Sequence, residues 1–268
     1  MKKITFIDLD GTLLNDDSKL SIFSKIILKE YRKKSYLFAV TARSKNLTGI
    51  KNDIENIFDG FVFHNGAEIY YNDRLIYKNH LSKNELKEIW EILSFVNCKI
   101  SIITDDIYFA NYDASEYWND IYNLQIIKDI TEINNTVPKV NILIENDNQI
   151  EYIKNKFDKS NKYRIEFTDN QKFCIIEKSN SSKGNSVIKI KKHLNNNFSE
   201  TIGIGNDDND ITMLKECDTK LCVGNSSKNL IDIADKVLET NNNDGVAKFL
   251  NNYLDHIKVE NLIVGHHK

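Results

Sequence analysis

Apolar segments of strand length alternate with amphipathic helical segments at both ends of this 268-residue chain, but not in its middle. In the first third, the runs ITFI, YLFAV and GFVF are separated by the helical patterns SIFSKIILKEYRKK and NLTGIKNDIENIF. The same alternation returns after residue 183, where TIGIG and KLCVG lie among helical patterns over 184–194, 210–217, 228–238 and 245–257. Such alternation predicts a parallel sheet covered by helices on both faces.

The middle of the chain, residues 81–180, follows a different pattern. A capping box formed by Ser82 and Glu85 begins the helical pattern NELKEIWEILSFV. Beyond it, strand patterns are spaced as pairs, KISIITDD with IYFANY and YRIEF with KFCIIEK, which predicts an α+β module with an antiparallel sheet. We therefore predict one parallel-sheet domain, residues 1–80 and 181–268, into which a second domain, residues 81–180, is inserted.

The composition argues against several kinds of partner and compartment. The net charge of -3 gives no electrostatic reason to expect binding to nucleic acid or to an anionic membrane. No apolar run reaches the length of a membrane span, and the acidic start MKKITFIDLD does not resemble a signal peptide. The four cysteines form no C-x-x-C pair, which indicates reduced thiols. We expect a cytoplasmic protein, and a monomer.

Polar residues follow the strand patterns of the parallel-sheet domain, where open sheets of this kind bind ligands. Asp8 and Asp10 flank one leucine at the end of the first run, and the period of a strand places both on the same side. Three polar segments follow strand patterns, Asp8 to Thr12, Thr41 to Arg43 and Asn206 to Asp210, and a fourth, Lys183–Gly184, opens the first helix after the inserted domain. Each alone could be a turn, a helix cap, a surface lysine or a polar loop. Their shared position at one sheet edge predicts a functional site.

These four segments resemble the four motifs of the haloacid dehalogenase (HAD) superfamily, specifically its Cof-type (subfamily IIB) phosphatases. DLDGTLL resembles motif I, TAR motif II (usually TGR), SKG motif III and GNDDNDITML motif IV. The shorter segments HNGAEI, VGNSS and NNNDGVAKFL also agree, in order. The resemblance covers essentially the whole chain and is weak within residues 81–180. It implies a Rossmann-like α/β core of parallel strands with an inserted α+β cap domain of the C2 type, which acts as a substrate lid.

The resemblance also implies a chemistry, which is Mg²⁺-dependent hydrolysis of a small phosphorylated metabolite, of sugar-phosphate type, through an aspartyl-phosphate intermediate. Asp8 would be the nucleophile and Asp10 the general acid and base. Lys183 would neutralise the nucleophile and the transferring phosphoryl group. Asp210 would support Lys183 or reach the metal through water. The remaining implied site residues are the substrate-binding Thr41, Ala42, Lys183 and Asn209 and the Mg²⁺ ligands Asp8, Asp10, Asn206 and Asp210.

One position departs from the family pattern, which usually has an aspartate where this chain has Asn206. An amide oxygen can still bind Mg²⁺ but adds no negative charge, so we predict weaker metal affinity. Asp207 could take the metal instead after a small shift of the loop, and the sequence leaves that alternative open. Arg43 fits a substrate contact and a solvated surface charge equally well.

Two other functions fit the same motifs. A phosphotransferase or phosphosugar mutase would use the same aspartyl-phosphate. A mutase of this superfamily would tend to show an arginine cluster in its cap, whereas Arg164 is the single arginine of residues 81–180. A catalytically degenerate protein that binds a phosphorylated metabolite is suggested by Asn206 alone. The candidate substrate contacts in the cap are Asp105, Tyr108, Tyr112 and Trp118. For each of them, packing or a place on the solvated surface is the more ordinary role.

Overall fold

The computed structural model describes residues 1–45, 54, 56–104, 107–117, 121, 123–168 and 170–254. The chain forms two compact units: the first comprises Met1–Ala42, Thr48–Ile76 and Ser182–Lys268, and the second comprises Arg43–Leu47 and Tyr77–Ser181. Most of the predicted helix NLTGIKNDIENIF and the end of the final predicted helix lie outside the described residues. The roles of the two units as catalytic core and cap stay predictions.

The described residues form these strands, in chain order: β1 (Lys3–Asp8), β2 (Ser35–Val40), β3 (Gly60–Phe63), β4 (Glu68–Tyr71), β5 (Arg74–Lys78), β6 (Lys99–Ile103), β7 (Tyr108–Ala110), β8 (Leu124–Ile126), β9 (Val140–Leu143), β10 (Tyr163–Thr168), β11 (Phe173–Lys178), β12 (Thr201–Gly205), β13 (Thr219–Cys222) and β14 (Lys236–Val237). Their α-helices are α1 (Ile22–Arg32), α2 (Lys83–Leu93), α3 (Asp147–Phe157), α4 (Lys183–His193), α5 (Ile211–Lys215), α6 (Lys228–Ile231) and α7 (Gly245–Asn251). Over the described part of the chain, every helix is too short or too polar to cross a lipid bilayer.

The sheet of the first unit has the strand order β14-β13-β12-β1-β2-β3-β4-β5. Neighbouring strands from β14 through β3 are parallel, and β4 is antiparallel to β3. β1 lies near the middle, with Ile7 opposite Ile204 of β12 and Asp8 opposite Val40 of β2. Ile4 to Ile7 of β1 are all fully buried, as expected of a strand that is covered on both faces. The predicted α/β fold with a parallel-sheet core is confirmed.

The second unit contains a separate sheet with the order β10-β11-β9-β6-β7-β8. Both predicted strand pairs form, β6 with β7 and β10 with β11, and both are antiparallel. The edge strand β8 is parallel to β7. Helix α2 begins at the predicted capping box, where Ser82 and Glu85 bond to each other's backbone amides. This unit has its own apolar core, in which Leu86 and Ile89 of α2 cluster with Ile100 of β6.

One sequence expectation in the first unit is wrong. The pattern over 228–238 predicts a single helix, but α6 ends at Ile231 and the chain then forms β14. Two hydrogen bonds between Asp235 and Lys220 of β13 hold this segment against the sheet. The backbone amide of Asp235 donates to the carbonyl of Lys220 at 2.8 Å, and the backbone amide of Lys220 donates to the Asp235 carboxylate at 2.7 Å. The amide of Leu238 then donates to the carbonyl of Cys222 at 2.7 Å. Pairing with a distant strand therefore overrides the local helical periodicity.

Candidate active site

Asp8 is the last residue of β1, and the turn that follows it folds back over its carboxylate. The turn spans Leu9–Leu13 and contains Gly11 with φ of 69°. A Cβ atom at Gly11 would also lie 2.5 Å from Nδ2 of Asn206, so the positive φ and this contact together favour glycine there. The turn places Thr12 so that its hydroxyl donates to Asp8 Oδ2 at 2.8 Å.

Lys183, the first residue of α4, connects two carboxylates. Its Nζ lies 2.7 Å from Asp8 Oδ1 and 2.6 Å from Asp210 Oδ1. All three residues are buried, with 2% of Lys183, 4% of Asp8 and none of Asp210 exposed. The hydroxyl of Ser182 caps the helix by accepting from the Asn185 amide, which fixes where the lysine enters. Three residues from distant parts of the sequence thus form one buried ionic cluster.

This cluster has one ammonium group for two carboxylates. Burial and the charge of Asp210 raise the pKa of Asp8, although Lys183 and the Thr12 hydroxyl oppose the shift. Burial alone would lower the pKa of Lys183, but Asp210 and Asp8 outweigh it, so that pKa lies above its ordinary value. With both carboxyl groups ionised the cluster carries a net negative charge, which favours an additional cation nearby.

The loop after β12 supplies the third side of the site. Asn206 Oδ1 lies 2.9 Å from the Thr12 hydroxyl, whereas Asp207 is exposed and its Oδ1 accepts from the Asp208 amide at 2.8 Å. Asp210 Oδ2 accepts from the amides of Asn206 and Asp207 at 2.9 and 3.1 Å. Because its other oxygen contacts Lys183, Asp210 is arranged to position the lysine.

The oxygen atoms at this edge suit a hard divalent cation. Thr12 Oγ1 carries a single hydrogen but lies within hydrogen-bonding distance of both Asp8 Oδ2 and Asn206 Oδ1. Only one of those two oxygens can therefore accept its hydrogen bond. Over the described ranges, no three His, Cys, Asp or Glu side chains converge as a metal site. A cation here would therefore use a carboxylate, an amide oxygen, a backbone carbonyl and water, a set that fits Mg²⁺.

The other predicted core residues lie at the same sheet edge or in the loop after β12. Thr41 directly follows β2 and is fully buried, and Ala42 is half-buried. Asp10 is half-buried in the turn after Asp8. Asn209 is also half-buried, and its Oδ1 accepts no hydrogen bond from the residues that the structure describes. Arg43 belongs to the second unit, so both roles considered for it stay predictions.

Of the four candidate substrate contacts predicted in the cap, two lie among the residues that the structure describes. Asp105 and Trp118 lie outside the described residues. Tyr108 is half-buried on β7, and burial raises its pKa to about 12. The ring of Tyr112 packs edge-on against Tyr117, with centroids 5.6 Å apart. Contact of these side chains with a substrate stays a prediction.

Arg164, the only arginine of residues 81–180, is engaged within its own sheet. It forms an ion pair with Glu177 on the neighbouring strand β11, and its Nη1 lies 3.2 Å from Glu166 Oε2. Because these two carboxylates offset the positive charge of Arg164, this arginine attracts a phosphate group only weakly. This arrangement weighs against the mutase alternative.

Two residues contribute contacts to which the sequence reasoning assigned no role. One is Thr12, which bridges the Asp8 turn to Asn206. The other is Asn225, whose Nδ2 donates to the carbonyl of Gly11 at 2.8 Å. Asn225 lies in VGNSS, one of the short segments that resemble the family. That resemblance did not indicate that Asn225 supports the turn after Asp8.

The sequence matches the family of haloacid dehalogenase-like hydrolases over residues 5–250. The chain belongs to this family. Phosphatases are among its curated relatives: YcsE of Bacillus subtilis, a 5-amino-6-(5-phospho-D-ribitylamino)uracil phosphatase, is 24% identical over 94% of this chain and 96% of its own length. The phosphoglycolate phosphatase of Sulfurisphaera tokodaii is 27% identical over 92% of each chain.

Solved structures agree on the fold of this haloacid dehalogenase-like chain. A hydrolase of the family from Bacteroides thetaiotaomicron gives a TM-score of 0.81 at 19% identity, over 94% of this chain and 100% of that one. The HAD subclass IIB sugar phosphatase BT4131 gives a TM-score of 0.78 at 18% identity, over 96% of this chain and 100% of that one. Together, the comparisons confirm the predicted Cof-type family and an enzyme of the phosphatase class.

Proposed function

We propose that this protein is a Mg²⁺-dependent phosphatase that hydrolyses a small phosphorylated metabolite, of sugar-phosphate type, through an aspartyl-phosphate intermediate. The observation that carries the proposal is the buried contact of 2.7 Å between Lys183 Nζ and Asp8 Oδ1 at the end of β1. A carboxylate held beside a buried ammonium is suited to attack a phosphoryl group whose charge the ammonium then stabilises. The curated relatives named as phosphatases of phosphorylated small molecules support this substrate class.

The proposed reaction consists of two phosphoryl transfers, first to Asp8 and then to water. Asp8 attacks phosphorus, the bond to the ester oxygen breaks, and Asp10 gives that oxygen a proton. Water, deprotonated by Asp10, then attacks the aspartyl-phosphate, which releases inorganic phosphate and restores Asp8. Lys183 stabilises the charge on the phosphoryl oxygens in both steps. The phosphoryl oxygens are bound by the Thr41 hydroxyl and the Ala42 amide and are oriented by Asn209.

The cation belongs beside Asp8. Mg²⁺ would be held by the Asp8 carboxylate, the Asn206 amide oxygen and the backbone carbonyl of Asp10, with water completing its shell. When bound, it offsets the negative charge that the phosphate ester brings to a carboxylate nucleophile. Asp210, whose two oxygens contact Lys183 and backbone amides, acts on the lysine in this proposal.

A panel of phosphate monoesters tests the proposal directly. Sugar phosphates, nucleotides and phosphorylated cofactors are incubated with the full chain in Mg²⁺ or in EDTA, without any acceptor alcohol, and inorganic phosphate is measured. We expect phosphate release from at least one class, and its loss in EDTA. Release that requires an added acceptor would instead identify a phosphotransferase, and binding without turnover would identify the degenerate binding protein.

Asn206→Asp is expected to strengthen Mg²⁺ binding by roughly tenfold, because a carboxylate replaces a neutral amide in an oxygen site. The measurement is the Mg²⁺ concentration that gives half-maximal activity, with the dissociation constant from calorimetry as an independent value. Asn243→Asp, at an exposed asparagine of the first unit, controls for the added charge alone. Equal affinity in the wild type and Asn206→Asp would remove Asn206 from the metal site.

A further inference from the structure

Asn241 is distant from Asp8 in the sequence, yet its side chain binds the segment that follows the Asp8 turn. Only 4% of Asn241 is exposed. Its Nδ2 donates to the carbonyl of Leu14 and to Asp16 Oδ1, each at 3.0 Å. An amide nitrogen carries two hydrogens, so these two bonds use both of them. An aspartate at this position would instead place an oxygen against two acceptors.

A second connection from Asn241 reaches the inside of the turn. The backbone amide of Asn241 donates to Asn225 Oδ1 at 3.1 Å, and Asn225 Nδ2 donates to the carbonyl of Gly11 at 2.8 Å. Because a backbone N–H can only donate, it fixes the oxygen of the Asn225 amide toward Asn241 and the nitrogen toward Gly11. Asn241 therefore holds two carbonyls, that of Leu14 directly and that of Gly11 through Asn225.

Asp10 lies in the part of the chain that these bonds hold, whereas Asp8 is fixed independently. The turn Leu9–Leu13, which contains Asp10, is closed by the amide of Leu14, which donates to the carbonyl of Leu9 at 2.9 Å. Asp8 ends β1, which is paired with a strand on each side, and its carboxylate belongs to the buried ionic cluster. Loosening the turn should therefore displace Asp10 more than Asp8.

We propose that Asn241 is a positioning residue for Asp10, an inference that rests on the proposed function, in which Asp10 is the general acid and base. As Asp8 attacks phosphorus and the bond to the ester oxygen breaks, the proton of Asp10 passes to that oxygen. This transfer requires the two oxygens to approach within about 2.6–3.2 Å, so a small displacement of the turn weakens it. The bonds from Asn241 prevent that displacement.

The test measures how strongly the reaction depends on the leaving group. p-Nitrophenol leaves readily as an anion, whereas phenol does so less readily and depends more on a proton from the enzyme. For each ester, kcat/KM reports the step that forms the aspartyl-phosphate. Asn241→Asp keeps the size of the side chain but removes its hydrogens. We expect it to raise the ratio of kcat/KM for p-nitrophenyl phosphate to that for phenyl phosphate by roughly tenfold. A smaller fraction of folded enzyme would lower both values alike and leave the ratio unchanged.

Asn242→Asp is the matched control. Asn242 is exposed and its Nδ2 also donates to Asp16, at 2.8 Å, but within the described residues its side chain makes no hydrogen bond to the turn. The same chemical change there should leave the ratio within about twofold of the wild type. Asn225→Ala, at an exposed residue, breaks the connection to Gly11 and should raise the ratio as Asn241→Asp does. It decides the test if Asn241→Asp melts below the assay temperature.

Asp10→Asn, which removes the proposed acid itself, is the reference and should give the largest ratio. The inference is overturned if folded Asn241→Asp and Asn225→Ala keep the wild-type ratio while Asp10→Asn changes it, or if Asn242→Asp raises the ratio equally. A wild type that hydrolyses neither ester would refute the proposed function and the inference with it. Turnover with an unchanged ratio in Asp10→Asn would refute the acid role of Asp10, and with it the inference, but not the phosphatase activity.

Discussion

Asp8→Asn is expected to lower kcat for p-nitrophenyl phosphate by about 10⁴-fold or more, the scale of losses seen when a nucleophile is removed. The amide is close in shape to the carboxylate and can still accept from Thr12, but it cannot form an aspartyl-phosphate. The effect should lie in kcat, because the groups that bind phosphoryl oxygens are unchanged. Release of p-nitrophenol at saturating substrate measures it, and denaturation of the wild type during turnover, followed by mass spectrometry, should reveal a phosphorylated peptide that contains Asp8.

The control for this prediction is Asp17→Asn, an exposed aspartate a few residues further along the same segment. It removes one carboxylate from the protein and should leave kcat within about twofold of the wild type. An Asp8→Asn variant as fast as Asp17→Asn would show that hydrolysis does not pass through Asp8. The aspartyl-phosphate route would then fail, together with the phosphotransferase alternative that shares it.

The central strands could be predicted because burial on both faces leaves a simple record in the sequence. β1, β2 and β12 are buried along nearly their whole length, and their many apolar residues are typical of parallel strands covered on both faces. The pattern over 228–238 is misleading, because its apolar residues recur with the period of a helix whereas its end pairs with β13 as a strand. The bonds between Asp235 and Lys220 that decide the outcome join residues 15 apart, and a local pattern does not contain them.

The contact of three candidate site residues, Asp8, Lys183 and Asp210, could be predicted, whereas the loops around them could not. The meeting of Asp8 and Asp210 follows from the rule that parallel strands end at one edge. Lys183 begins α4 instead of following a strand of this sheet, and its place beside them was implied by the family resemblance. Whether Asn206 or Asp207 lies beside Thr12 depends on how the loop after β12 turns, and periodicity says nothing about that. The side-chain amide of Asn65, in the turn between β3 and β4, is buried and makes no hydrogen bond to the residues that the structure describes, and this too is a result of packing that the letters HNGAEI do not contain.

Lys183→Met is expected to reduce the free energy of unfolding by about 3–5 kcal/mol at pH 8, because it leaves two buried carboxylates without their cation. Chemical denaturation followed by far-UV circular dichroism, in EDTA, measures the loss. Lys192→Met is the matched control, an exposed lysine of the same helix, and should change stability by less than about 0.5 kcal/mol. Lys183→Arg keeps the charge and should fall between them.

The pH dependence of Lys183→Met distinguishes lost charge pairing from lost packing. The pKa of Asp8 is already raised by burial and by Asp210, and removal of the ammonium that opposes this shift raises it further. A carboxyl group with a raised pKa binds more protons in the folded chain than in the unfolded one, so stability falls as pH rises from about 4 through the folded pKa. The difference between Lys183→Met and wild type should therefore be smaller at pH 5 than at pH 8. A difference that is the same at both pH values would mean that the substituted methionine costs packing alone, and that the buried carboxylates do not depend on the lysine for their charge.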